Sequence, residues 1–138
     1  MKIHKSGIAS LIPQKPPFIM VDHLIDATSE KIETGFLVRP DNIFLEGDTL
    51  REFALIENIA QSSAAGLVFL GIFGQGKPVE GFMGGISKLR LHSLPKIHDT
   101  VQTFVTILAQ LGNMFLVKGE NYVEGRKLLE CEMKLIGV

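Results

Sequence analysis

The chain has 138 residues, 46% of them hydrophobic, and a formal net charge of −1 at pH 7. This length and apolar content predict a single domain, residues 1–138, with a core of its own. Lysine and arginine are spread along the chain, so nucleic acid is not expected as a partner. No uninterrupted apolar run reaches the ~18 residues of a membrane span, so none is predicted.

Cysteine usage limits the chemistry further. Cys131 is the one cysteine of the chain, which excludes an internal disulfide, and no cysteine and histidine cluster has zinc-site spacing. We therefore expect no metal or other cofactor, and interpret Cys131 as a small core residue in a reducing compartment. The N-terminal residues contain no apolar stretch of the kind found in signal peptides, which favours a cytoplasmic protein.

The first part of the chain predicts a short helical turn and then two strands. Residues 1–17 allow the turn, and three prolines then impose an extended path. Residues 18–25 are a β-branched and aromatic run, and residues 31–38 alternate along the chain, so we predict a strand pair. One side of the second strand would carry Ile32, Thr34, Phe36 and Val38.

The stretch around which the rest is organised is residues 48–73, which predicts one long, mostly buried helix. Apolar residues recur along it at steps of three and four. Thr49 and Glu52 have the spacing of a capping box and mark its start, and a glycine-rich stretch ends it. Two polar residues inside this apolar helix, Glu57 and Gln61, lie one turn apart and are the candidates for chemistry.

Four further strands are predicted in the second half, at residues 80–91, 101–111, 114–123 and 128–136. Turn signals between the last three predict an antiparallel meander. Two strands, a buried helix and a second run of strands indicate an α+β fold, in which an antiparallel sheet wraps one central helix. A sheet this short leaves an edge strand exposed, which predicts a homodimer or a heterodimer with a related chain.

Three segments resemble motifs of one enzyme family. Residues 12–22, IPQKPPFIMVD, resemble the L-P-H-R-x-P-F-L-L-V-D motif of the FabZ/FabA-type 3-hydroxyacyl-acyl carrier protein (ACP) dehydratases. Residues 56–61, IENIAQ, resemble the family's L-E-A-M-A-Q, and residues 85–91, GISKLRL, resemble its G-I-D-x-A-R-F. The resemblance covers nearly the whole chain. It implies the hotdog fold, a dimer, and an acyl thioester of ACP or coenzyme A as the ligand.

The resemblance also implies roles for single residues. Glu57 matches the family's acid on the central helix, and Gln61 matches the glutamine that helps to order the site. The family's catalytic histidine lies in a G-H-F-P-G loop before this helix, but residues 44–49 contain no histidine. Gln14 also stands where the family often has histidine. The base of the family's reaction is therefore absent from its usual place.

Dehydration of a 3-hydroxyacyl thioester needs a base for the α-proton, an acid for the departing hydroxyl, and donors to the carbonyl oxygen. In an apolar pocket, desolvation favours the neutral form of Glu57, which then serves as the acid. Backbone N–H groups at a helix N-terminus, or those of the glycine-rich strand at Gly84 and Gly85, are candidate donors to the carbonyl. The base stays open between Glu57 acting in turn, a histidine of a partner subunit, and the following residues of this chain: Asp48, His23, His92 and His98.

Cations within and just after the third motif offer a place for the carrier. Lys88, Arg90 and Lys96 lie where a phosphopantetheine phosphate or an acidic carrier protein would find positive charge, if this is the mouth of an acyl tunnel. A charged strand face with no ligand has the same pattern. We interpret Arg90 as the substrate-binding candidate among them.

Three functions are compatible with these residues. The first, which we favour, is a 3-hydroxyacyl-ACP dehydratase-like enzyme of fatty-acid, polyketide or aryl-polyene synthesis. The second is a hotdog thioesterase that works with Glu57 as its single carboxylate. The third is a non-catalytic acyl-ACP-binding subunit that completes the site of an active partner. Glu57 and Gln61 can also be a structural hydrogen-bonded pair at a dimer seam.

Overall fold

The computed structural model describes residues 5–73 and 81–137. Its elements in chain order are α1 (Lys5–Ile8), β1 (His23–Ala27), β2 (Lys31–Leu37), β3 (Leu45–Glu46), β4 (Thr49–Leu50), α2 (Glu52–Phe69), β5 (Gly81–Leu91), β6 (Thr100–Leu111), β7 (Met114–Val123) and β8 (Arg126–Gly137). None of the described helices is long and apolar enough to cross a membrane.

A six-stranded antiparallel sheet in the order β1-β2-β6-β7-β8-β5 curls around α2. The helix lies on the inner face of the sheet, and the core fills the space between them. The predicted α+β plan is confirmed, as is the meander of β6, β7 and β8. Alternation gives the core its inner residues, because neighbouring side chains of a strand point to opposite faces. The predicted inward side of β2 is buried at Ile32, Thr34, Phe36 and Val38.

The central helix begins later than the sequence predicts. Thr49 is not a helix cap, because Thr49–Leu50 form strand β4, which pairs with β3. The cap position belongs to Arg51, and no side chain caps the first turn. The chain is held extended at this point because Leu50 N–H donates to the Pro95 carbonyl, at 2.9 Å. A backbone bond to a distant loop thus overrides a local capping signal.

The first strand also begins later than predicted, at His23 instead of residue 18. Segment 18–20 runs beside α2 and not beside a strand, since side chains of the helix occupy its backbone groups. The predicted start of β5 at residue 80 lies outside the described residues. Cys131 is buried in the core, as expected.

The outer face of the sheet is polar, and β1 and β5 are its two edge strands. On the outer face, away from α2, Lys127 bridges two carboxylates, with its Nζ 2.9 Å from Glu120 Oε2 and 2.7 Å from Glu130 Oε2. Hydrogen bonds from Lys127 and His92 hold the pKa of the Glu130 carboxyl at about 2, well below its usual range. Strand β5 ends the sheet, and its residues from Gly84 to Leu91 are exposed.

Close packing between helix and sheet depends on small residues. A Cβ built on Gly119 of β7 overlaps the side chain of Ile59, which points from α2 into the sheet. A Cβ built on Gly66 of α2 likewise overlaps Ile32. In both cases the overlapping atoms include the two Cγ atoms of the isoleucine. Because a β-branched side chain is stiff at χ1, relief of the overlap requires an unfavourable rotamer or a shift of the backbone.

We therefore predict that Gly119→Ala lowers the free energy of unfolding by about 1–3 kcal/mol, the usual cost of overpacking a core. The control is Gly85→Ala on β5, where an added Cβ meets no atom within 4 Å, and which should leave stability nearly unchanged. Urea unfolding followed by circular dichroism measures both. Equal stability of the two variants would contradict the close approach of α2 to β7.

Candidate functional site

Glu57 lies on the second turn of α2, at the border between the buried and the open sides of the helix, and is half-buried. Gln61, one turn later, is 1% exposed, and its Nε2 donates to Glu57 Oε2 at 3.2 Å. The structure thus brings together the two helix residues that the sequence singled out.

Gln61 also binds backbone groups of the segment before β1, and these hydrogen bonds fix the orientation of its side-chain amide. Its Oε1 accepts from Met20 N–H at 2.7 Å, and its Nε2 donates to the Phe18 carbonyl at 2.9 Å. A backbone N–H only donates and a carbonyl only accepts, so the amide faces one way. It is therefore an N–H, and not the amide oxygen, that meets the Glu57 carboxyl.

A row of polar side chains lies behind the site, between α2 and the inner face of the sheet. Thr34 and Thr103 are direct neighbours on β2 and β6, and Asn121 is the next neighbour on β7. All three are fully buried. Thr103 donates its hydroxyl to Asn58 Oδ1, and Thr34 shares a 2.7 Å hydrogen bond with Ser62. Hydrogen bonds thus join the helix to the sheet in a core that is otherwise apolar.

Exposed aromatic side chains flank Glu57. Phe53, one turn before it on α2, is 53% exposed, and its ring lies 5.1 Å from that of Phe44, centroid to centroid. Phe18, whose carbonyl is bound by Gln61, is 54% exposed. A carboxyl beside open apolar surface is suited to an acyl group that places a polar reacting centre at Glu57.

One of the candidate histidines, His92, lies on the opposite side of the sheet from Glu57. His92 follows β5 and pairs with Glu130 on the outer face of the sheet, with Nε2 3.0 Å from Oε2. His98 is exposed in the turn before β6. His23 opens β1 and is half-buried. Asp48 is exposed in the β3–β4 turn, where it accepts the Thr49 hydroxyl.

The predicted carrier and carbonyl contacts lie on β5. Gly84 and Gly85 stand at a bulge of this edge strand. Arg90 lies directly opposite Glu130, whose side chain is on the outer face, and both line a groove of about 340 Å³ with Lys88 and Lys118. Within one chain, Arg90 and Glu57 are therefore on opposite sides of the sheet. Lys96 is exposed in the loop before β6.

Two further kinds of reactive group are the cysteine thiol and clusters of side chains that could bind a metal ion. Burial raises the pKa of the Cys131 thiol to about 11, so it is not a thiolate nucleophile at neutral pH. Across residues 5–73 and 81–137, no group of three or more acidic, histidine or cysteine side chains is arranged to hold a metal ion.

Sequence reasoning missed two pairs of residues that shape the site. The first pair is Asn58 and Thr103, of which only Asn58 carries a signal, as a polar residue inside an apolar helix pattern. The second is Asp22 and Arg39, whose carboxylate and guanidinium lie 3.0 Å apart and join the chain before β1 to the chain after β2. Nothing in the sequence spacing joins either pair.

Comparison with known proteins finds one matching family profile and several similar dehydratases. The profile of the ApeP-like family, described as ApeP dehydratase, matches residues 6–135. The dehydratase FabZ of Syntrophobacter fumaroxidans is 27% identical over 131 residues, covering 91% of this chain and 88% of that protein. FabZ of Clostridium novyi is also 27% identical, over 91% of each chain.

Solved structures of low identity show the same fold. The dehydratase heterocomplex ApeI:P of Xenorhabdus doucetiae superposes with a TM-score of 0.86 at 16% identity, over 95% of this chain and 90% of that one. A hypothetical thioesterase with coenzyme A from Streptococcus pneumoniae TIGR4 has a TM-score of 0.67 at 11% identity, over 83% and 84%.

The hotdog fold and the resemblance to the FabZ type are both confirmed by these matches. The chain is dehydratase-like. Since one family profile spans 130 of its 138 residues, the chain belongs to the ApeP-like dehydratase family.

Proposed function

We propose that this chain is the Glu57-bearing subunit of a 3-hydroxyacyl thioester dehydratase whose base comes from a second hotdog subunit. The observation that carries the proposal is the arrangement at Glu57. Its carboxyl is oriented by Gln61 beside the exposed Phe53, while His92 lies on the outer face of the sheet. The acid of the reaction is present, and its base is missing from the family's usual loop.

The orientation of Gln61 assigns the two oxygens of Glu57. An N–H of Gln61 points at Oε2, so Oε2 acts as the acceptor and a proton on the carboxyl sits on Oε1. Oε1 is then the oxygen that faces the substrate. In this position Glu57 donates its proton to the departing 3-hydroxyl group.

The reaction balances with one base and one acid. The base removes the proton α to the thioester carbonyl, and the electron pair of that C–H bond forms the new C=C double bond. The C–O bond to the 3-hydroxyl breaks, and the proton from Glu57 converts the leaving hydroxide to water. The carbonyl oxygen, which gains negative charge meanwhile, needs N–H donors. Backbone N–H groups at Gly84 and Gly85 are our candidates.

The partner subunit would add its sheet to β5. This edge strand presents an exposed backbone along its length together with the apolar side chains Ile86, Leu89 and Leu91. Edges of this kind pair with another strand. The likeness to the ApeI:P heterocomplex favours a heterodimer over a homodimer, and the name of the FabZ relatives favours ACP over coenzyme A as the carrier.

The test is a mass-spectrometric assay with 3-hydroxyoctanoyl-ACP, using the chain alone and together with a histidine-bearing hotdog subunit. We expect trans-2-enoyl-ACP with the partner present, and at least about 100-fold less product for Glu57→Gln, the usual size of general acid catalysis. The control Glu52→Gln lies on the same helix, where the carboxylate pairs with Arg51, and should retain activity.

Three results would contradict the proposal. Intact substrate both with and without the partner would indicate that the chain binds acyl groups without catalysis. Full activity of Glu57→Gln would show that another residue is the acid. Release of the free acid would indicate a thioesterase, the activity after which the structurally similar S. pneumoniae protein is named a hypothetical thioesterase.

For the carrier, we propose that Arg90 and the groove that it lines bind acidic groups of ACP. This groove lies at the edge strand β5, where the two subunits of the proposed dimer would meet. Arg90→Ala should weaken ACP binding about 3- to 10-fold at low salt, because a peripheral charge contributes mainly to steering. Arg126→Ala removes an equal charge from an exposed residue at the start of β8 and should have little effect. Calorimetric titration with acyl-ACP compares them, and equal affinities would refute the role of Arg90.

A further inference from the structure

The peptide of Met20 has both polar groups bound by side chains of α2. Its N–H donates to Gln61 Oε1 and its carbonyl accepts from Asn58 Nδ2, each at 2.7 Å. Met20 and Asn58 are fully buried, and Gln61 is nearly so. Because a buried peptide group without a partner is costly, these two side chains fix the segment before β1 against the helix.

Asn58 is joined to the sheet as well. Since the Met20 carbonyl can only accept, Nδ2 of Asn58 must face it, and Oδ1 is left to accept the Thr103 hydroxyl from β6. The Asn58 side chain therefore connects α2, the segment before β1 and strand β6. Asn58 directly follows Glu57 on the helix, so a constraint on Asn58 acts at the catalytic position.

We propose that Asn58 and Thr103 are positioning residues, which fix the rotation and depth of α2 and so set the place of the Glu57 carboxyl. This inference rests on the proposed function of Glu57. Apolar contacts along α2 have no preferred direction, whereas hydrogen bonds do. The carboxyl lies outside the ~2.3 Å radius of the Cα atoms, so a small rotation moves it by on the order of 1 Å. A displacement of this size reduces catalytic rates by up to about 100-fold.

The test uses two changes at one position, which differ in whether the hydroxyl is kept. Thr103→Val removes the hydroxyl, and Thr103→Ser keeps it. With the partner subunit and 3-hydroxyoctanoyl-ACP, we expect kcat of Thr103→Val to fall about tenfold with KM unchanged, and that of Thr103→Ser to stay within about twofold. Asn58→Gln, which displaces the amide but keeps its polarity, is the second variant if Thr103→Val does not fold.

The matched control is Thr34→Val. Thr34 is the cross-strand neighbour of Thr103, is equally buried, and bonds to Ser62, one turn further from Glu57. Thr34→Val should lower the free energy of unfolding in urea by about as much as Thr103→Val does, and should leave kcat unchanged. A purely structural role of the polar row would affect both variants alike.

A second readout does not depend on activity. The ¹³C carboxyl resonance of Glu57, assigned by its loss in Glu57→Gln, should shift in Thr103→Val and stay in place in Thr34→Val. If the wild type forms no enoyl product but the resonance shifts in this selective way, the proposed function fails and the positioning role stands. Equal shifts in both variants, or none in either, would overturn the positioning role, and so would an unchanged kcat of Thr103→Val in an active complex.

Discussion

The structure depends on the hydrogen bonds by which two side-chain amides of α2, those of Asn58 and Gln61, hold a buried stretch of backbone. Within the described part of the chain no strand pairs with the segment before β1 at Met20, and the helix supplies a donor and an acceptor there. Buried peptide groups must be paired. Here the pairing also orients the Gln61 amide toward Glu57, so one set of bonds stabilises the fold and prepares the carboxyl.

The long strands of the meander were predictable from the sequence because alternation and turn chemistry are local, whereas the short β3 and β4 were not predicted. Met114–Val123 follows a turn at Gly112, which has a positive φ, and its side chains alternate between the two faces. The start of α2 was not predictable, since Thr49 and Glu52 match a cap while the chain is held extended by the distant Pro95. A local signal fails where a long-range backbone bond competes with it.

The site was predictable in part. Glu57 and Gln61 stand out as polar residues in an apolar helix, and the structure brings them together. Thr103 was hidden, because a threonine inside a strand is ordinary and its partner is 45 residues away. The placement of Arg90 on the outer face follows from strand register, which composition does not reveal. The base has no signal in this chain if it belongs to another one.

The most direct measurement is a crystal structure of this chain with a histidine-bearing hotdog subunit and a bound 3-hydroxyacyl analogue. Our account predicts β5 paired with the partner's edge strand. It also predicts Glu57 Oε1 at the 3-hydroxyl and the partner's imidazole at the α-carbon proton, each within the ~3 Å reach of proton transfer. A partner surface that covers Glu57 without a ligand between them, or an analogue bound away from Glu57, would contradict it.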